Sequence, residues 1–304
     1  MDFTYRMAQF IPFQDAAECA RVRAIPREGL CKHRNPDFRI RLIDGSTEFY
    51  TAFALDLVRR IQETREAGAQ FVAILPVGPM PQYDLAAAMI NTLRISMKHV
   101  HTFNMDEYAD QDGNTAPPSW AGSFQRAMFE NFFDHIDEPL RPPREQIHFP
   151  TRAVIQSYSQ QIADLGGADV CYGGIGWCGH IAFWEAHLGL TIRDLTEYKQ
   201  CGARLVDLHP MTIMQNALHS FGGDWSWVPP KANTIGPRDI LGAKHRSFWL
   251  DGDLGGGVSW QRFIARLVAH GPVSTLVPGS ILQETRCDYT ILGNVADDVQ
   301  IRMR

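Results

Sequence analysis

Short apolar runs that stop at glycine, proline or an acid, each leading into a stretch of helical character, recur along this chain. That alternation constrains its fold more than any other feature. The run "QFVAILPVG" (residues 70–78) ends in proline and glycine and leads into the alanine-rich "YDLAAAMINTLRIS". "HVHTFNM" ends at the acidic pair Asp106 and Glu107, and the helical stretches "SFQRAMFENFFDHI" and "SYSQQIADLGG" follow it. "ADVCYGGIG" reads as a buried strand, and "RSFWLDG", "SWQRFIARLVAHG" and "CDYTILG" repeat the order strand, helix, strand. Strands that are apolar throughout, rather than alternating, need cover on both faces. The pattern therefore predicts an α/β fold whose mostly parallel central sheet lies between two helical layers. Residues 1–38 fall outside the pattern and hold slightly more Arg and Lys than acids, so an extension packed on a single domain (39–304) is expected.

Chain-wide properties exclude partners rather than name one. A formal charge of -5 leaves no footprint for nucleic acid or a membrane surface. No apolar run approaches the roughly 20 residues a spanning helix needs. The N-terminal "MDFTYRMAQFIPFQDAAECARVR" lacks the basic start and continuous apolar stretch of a secretory signal. Six scattered cysteines form no CxxC pair, which suits a reduced, cytoplasmic protein. The expected partner is a small molecule.

In an open parallel sheet, ligands bind beyond the carboxyl ends of the strands. "HVHTFNM" ends there at Asp106, and "ADVCYGG" ends just before His180. An acid and an imidazole converging at one sheet edge is what proton transfer on a small substrate requires. Taken singly, a loop aspartate or histidine is more often a solvated or capping side chain than a catalytic one.

Three segments together, "HTFNMDEY" (residues 101–108), "NFFDHID" (131–137) and "GGIGWCGHIAFWE" (173–185), resemble the glucosamine-6-phosphate deaminase/isomerase family in order and spacing. The similarity runs from about Arg39 onward and is strongest through Glu185. It implies a modified Rossmann-like three-layer sandwich, and an aldose–ketose isomerase, with or without ammonia release, acting on a sugar. It also implies a homo-oligomer that needs neither cofactor nor metal. By the same resemblance Asp106 carries the proton between C2 and C1 of the opened sugar, and Glu107 is the second acid. His180 opens the pyranose ring and Glu185 tunes it. The backbone at Gly173, Gly174 and Gly176 is expected to hold sugar oxygens, because glycine lets a ligand come close.

Two departures from the family pattern are informative. Cys178, Gly179 and His180 stand where the family has Asp-Gly-His, so His180 is expected to lose a carboxylate partner. Ring opening would then slow or pass to Glu185. Cys178 is alternatively a nucleophile with His180 as its base, or a metal ligand with His180, Glu185 and His187. The family's phosphate loop, Pro-Thr-Gly-Gly-Thr-Pro, is replaced by Pro76, Val77, Gly78, Pro79, Met80 and Pro81. Both hydroxyls are gone and Pro79 has no N–H to donate. Arg262 and the basic residues Arg21, Arg23, Arg27, Lys32 and Arg34 are the candidate replacement cations. An altered substrate is expected: an unphosphorylated amino sugar, a sugar acid or a sugar with a larger 6-substituent, held against Val77, Met80 and Trp184. Trp184 reads equally as a packing residue. A sugar-binding sensor of the same fold is the second reading, but no helix-turn-helix segment accompanies it.

Overall fold

The computed structural model describes residues 3, 5–78, 80–301 and 303. Its first half runs α1 (Ala16–Arg23), β1 (Phe38–Ile43), α2 (Ser46–Glu66), β2 (Phe71–Leu75), α3 (Pro81–Thr92), β3 (Val100–Asn104), β4 (Asp106–Ala109), α4 (Phe124–Asn131), β5 (Ile147–His148) and α5 (Ile155–Asp164). The second half adds β6 (Val170–Gly173), α6 (Leu195–Lys199), β7 (Arg204–Asp207), α7 (Pro210–Ser220), β8 (Lys231–Thr234), α8 (Pro237–Gly242) and β9 (His245–Leu250). It closes with β10 (Asp253–Gly255), β11 (Val258–Ser259), α9 (Arg262–His270), β12 (Cys287–Leu292) and α10 (Gly293–Ala296).

Seven strands form one sheet in the order β1-β12-β9-β6-β2-β3-β5, every neighbouring pair parallel. Strands β2 and β9 are buried at every position, as apolar runs covered on both faces must be. The chain leaves β2 toward β3 and β5 on one side, then returns on the other side through β6, β9 and β12, the last of which pairs with β1 at the edge. The order thus reverses between β2 and β6, and loops leaving adjacent strands in opposite directions open a crevice at such a point.

A smaller antiparallel sheet, β4-β8-β7, stands on this carboxyl edge. Met105 belongs to both sheets: its N–H donates to the Leu75 carbonyl (3.0 Å) and its own carbonyl accepts from Ile235 N (2.9 Å). That hinge makes Asp106 the first residue of β4, directly over the crevice. Helix α2 covers one face with Phe49, Phe53, Leu57 and Ile61 on a single stripe. Phe53 packs 5.0 Å from the Trp249 ring and 4.8 Å from Tyr172, and full burial of such a ring contributes roughly 2–3 kcal/mol.

Two expectations need adjustment. "SFQRAMFENFFDHI" is not one helix, because α4 ends at Asn131 and a 3-10 turn, Phe133–His135, follows. The extension also does more than lie on a domain. Helix α1 packs on α9, and Arg266 of α9, fully buried, donates to the carbonyls of Ile25 (2.9 Å), Arg262 (3.0 Å) and Ala296 (2.8 Å). All six cysteines are free thiols. Among the described residues, no helix is long and apolar enough to cross a membrane.

Candidate active site

The crevice between β2 and β6 holds a cavity of about 420 Å³. Its walls come from the loop after β2 (Val77, Gly78, Met80), from Asp106, and from the loop after β6 (Gly174, Ile175, Gly176, His180). The end of β9 adds Trp249 and Asp251, and one face of α7 adds Gln215, Asn216 and His219.

Tight turns set His180. Gly179 has a φ of +84°, its N–H donates to Gly176 O (2.8 Å), and Gly176 N donates to His180 O (2.9 Å). A Cβ on Gly176 would lie 1.9 Å from His180 Nε2, so only glycine lets the imidazole lie over that backbone. His180 Nδ1 lies 2.9 Å from Thr212 Oγ1, 3.4 Å from Glu185 Oε2 and 3.4 Å from Cys178 Sγ. Nε2 is therefore the ring nitrogen not taken up by these partners. Thr212 Oγ1 donates to Glu185 Oε2 (2.9 Å) and accepts from His180, while His209 N donates to Glu185 Oε1 (3.1 Å). The His209 ring in turn bonds the carbonyl of Phe10, in the N-terminal extension (3.0 Å).

Electrostatics follow from this arrangement. Burial disfavours a charged His180, but the adjacent Glu185 carboxylate outweighs it and raises the imidazole well above its ordinary value. Burial likewise pushes Glu185 toward its neutral form, and the imidazolium with its hydrogen bonds holds it lower, in the ionised form. Desolvation raises Asp106 to about 7, against the lowering effect of His180, with Glu107 and Glu185 adding to the rise. A carboxyl poised near neutrality can both take and return a proton.

Several expectations are corrected by these positions. His180 does not lack a carboxylate partner, because Glu185 occupies that role with Thr212 between them. Glu185 is fully buried behind His180, outside the cavity wall, and so cannot take over ring opening. The Cys178 thiol donates to Glu185 Oε2 (3.1 Å), is kept neutral by burial and that charge, and does not line the cavity. It is a poor nucleophile there. The donor atoms of Cys178, His180 and Glu185 lie within 4.8 Å of one another, which is a geometry that could hold a metal ion. Their mutual hydrogen bonds account for that convergence. His187 instead stacks on His209, 5.6 Å between ring centres.

Glu107 faces away from the cavity. Its Oε1 accepts from Tyr108 N (2.9 Å) and Phe124 N (3.0 Å), and its Oε2 from Gln125 N (2.8 Å) and Ser123 Oγ (3.0 Å). It satisfies the first N–H groups of α4. Trp184 is no sugar platform: it is fully buried, edge-on to Tyr198 and under the Arg204 guanidinium at 4.7 Å. Gly173 lies in β6 where a Cβ would strike the Phe248 ring at 2.7 Å, and Gly176 has its N–H committed to His180. Of the three glycines, Gly174 and Gly176 line the cavity.

Among the described residues lining the cavity there is no Arg or Lys; Pro79 lies outside the described residues. Arg262 is committed to Asn294 O (2.9 Å), Gly257 O (3.1 Å) and Asp297 (3.3 Å). Arg21 pairs with Glu18 at 2.7 Å, and Arg27 pairs with Asp44 and Asp297. None of the extension's cations lines the cavity. Asp251 does, with Tyr50 Oη donating to it at 2.9 Å. Thr212, Asn216 and His219 on α7, together with Asp251 and Tyr50, were not singled out from sequence. The α7 residues had a signal, since they recur at the spacing of one helical face.

Fold and site together define an α/β protein with an acid–imidazole cavity at the switch point of a parallel sheet. A glucosamine-6-phosphate deaminase of Caenorhabditis elegans is 35% identical over 194 residues, 62% of this chain and 66% of its own length. That of Serratia proteamaculans (strain 568) is 34% identical over 200 residues, 63% of this chain and 68% of its own length. The chain belongs to the glucosamine-6-phosphate deaminase family. It spans 61–66% of the length of three of the curated relatives it matches, less than two thirds of each. A solved structure of a monomeric glucosamine-6-phosphate deaminase shares the fold, with a TM-score of 0.71 at 23% identity over 84% of this chain and 98% of that one. No family model matches the sequence.

Proposed function

We propose that this protein isomerises an unphosphorylated amino sugar and releases its C2 nitrogen as ammonia. The observation that carries the reading is the pairing of Asp106, raised to about 7, with an imidazolium at His180 on one cavity wall. The names of the relatives support the reaction class. His180 donates its Nε2 proton to the ring oxygen as the C1–O5 bond breaks, and takes back the proton of the anomeric hydroxyl as C1 becomes a carbonyl. Asp106, ionised, takes the proton from C2 as an ammonium proton passes to O1, which gives an enolamine, and then delivers the C2 proton to C1. The C2 imine so formed adds water and loses ammonia, leaving a ketose. Glu185, through Thr212, holds His180 charged and oriented; Cys178 fills the space beside them.

A substrate without phosphate follows from the cavity's charges. A phosphate dianion placed between Asp106 and Asp251 would meet two acids and no Arg or Lys among the described lining residues, and would have only the His180 imidazolium, which ring opening needs, as a cation. An amine or hydroxyl suits those acids. Free thiols throughout support a cytoplasmic setting. Exposed Leu205, Met214, Leu218 and Trp225 favour assembly of several copies, which light scattering tests.

Ammonia and ketose production from glucosamine, galactosamine and their 6-phosphates, with Asp106→Asn as control, tests the reading. Turnover of a free amino sugar, lost in the variant, is expected. Turnover confined to the phosphorylated sugars would overturn the substrate, and silence on all four would overturn the reaction.

A further inference from the structure

A second cavity of about 410 Å³ adjoins the first. Val77, Met80, Tyr108, Phe124 and Ser220 line both, whereas Asp106 and His180 line only the first. The two therefore share a wall, with the reacting groups on the side of the first. The far end is aromatic. Trp120 lies edge-on to Tyr108 at 5.9 Å and stacks on Phe221 at 5.9 Å, and Phe124 packs against Tyr108 at 4.6 Å. A Cβ on Gly122 would sit 2.4 Å from the Trp120 ring, so the indole is laid flat against bare backbone. Trp227 closes the outer side and remains 63% exposed.

Few polar side chains line this wall, Ser123, Ser220 and the indole N–H groups of Trp120 and Trp227 among them. Ser123 Oγ and the first N–H groups of α4 are bonded to Glu107, and no Asp, Glu, Lys or Arg is among the described lining residues. A second sugar ring would bring hydroxyls that find few partners there, which is costly on burial. An apolar group meets ring faces on several sides.

We propose that this second cavity is a subsite for an apolar, aryl-sized substituent carried by the sugar at a carbon remote from C1 and C2. The proposal rests on the amino-sugar reading for what occupies the first cavity. The substrate class is thus an amino sugar with an apolar ester or ether, and the aromatic wall is what selects it.

The test is calorimetric binding of 6-O-benzoylglucosamine and of glucosamine, alongside turnover of each. The benzoyl sugar is expected to bind at least tenfold more tightly. Trp227→Ala and Ala127→Trp, one opening and one filling the subsite, should each remove that preference and leave glucosamine binding and turnover unchanged. Trp227 is exposed, so its variant folds even if the larger tryptophan at 127 is not accommodated. Equal binding of the two sugars, or a preference that survives Trp227→Ala, overturns the subsite. Subsite-dependent binding with no turnover of either sugar overturns the reaction instead, and binding of neither overturns both.

Discussion

The burial of Asp106 costs folding stability. Burial lifts its carboxyl from an ordinary 3.8 to about 7, so between those values the unfolded chain ionises while the folded chain keeps its proton. Stability therefore falls as pH rises from about 4 to about 7 and levels off above. Asp106→Asn removes that cost. The variant should be more stable than the parent above about pH 7, by up to ~4 kcal/mol at ~1.4 kcal/mol per pH unit, and equal to it below about pH 4. Urea denaturation at both ends of the range checks this, and an advantage that grows toward acid would refute it. Thr212 makes a second case at this scale. Thr212→Val removes the hydroxyl between His180 and Glu185 and leaves the side-chain volume unchanged. Loss of a hydrogen bond to a charged group predicts about tenfold lower kcat with a folded protein, and the cycle with Glu185→Gln should be non-additive.

Among the elements, the N-terminal extension carries the most testable weight. Cys19, Val22 and Leu30 are buried, Arg266 bonds the Ile25 carbonyl, and His209 bonds the Phe10 carbonyl. Deleting residues 1–36 uncovers those apolar contacts, at roughly 1.5–3 kcal/mol for each large side chain they shield. It also leaves a buried guanidinium short of one acceptor. A substantially lower melting temperature and a reduced kcat are expected, and unchanged values of both would contradict this role. The helix and strand order was legible because apolar runs such as "FVAIL" can only be interior strands of a covered sheet. The small sheet was not. A single residue, Met105, separates the end of β3 from the start of β4, so nothing in "HTFNMDEYA" marks where one sheet hands over to the other.

For the whole molecule, legibility in the site divides by distance along the chain. Asp106 and His180 stand out because one ends a predicted strand and the other follows one in a glycine-rich loop, and the fold brings both to one cavity. Trp184, Glu107 and Glu185 stand close by in sequence yet point away from it, because a residue's direction at the end of a strand depends on turns such as the one at Gly179. Thr212 and Asp251 reach the site from distant segments, and only tertiary packing unites them with it. The loss of two hydroxyls from the loop after β2 was legible in the sequence. The lack of any substitute cation among the described lining residues required the fold.

The account turns on a proton carried by Asp106 between C2 and C1, and the most direct measurement is NMR of the ketose formed from glucosamine in D2O. Because Asp106 faces a solvent-reached cavity, its proton exchanges with solvent during transfer, and deuterium should enter C1 of the product. Product that retains its protium completely, together with turnover that survives Asp106→Asn, would mean that hydrogen moves between the two carbons without this carboxyl, and would contradict the role given to Asp106.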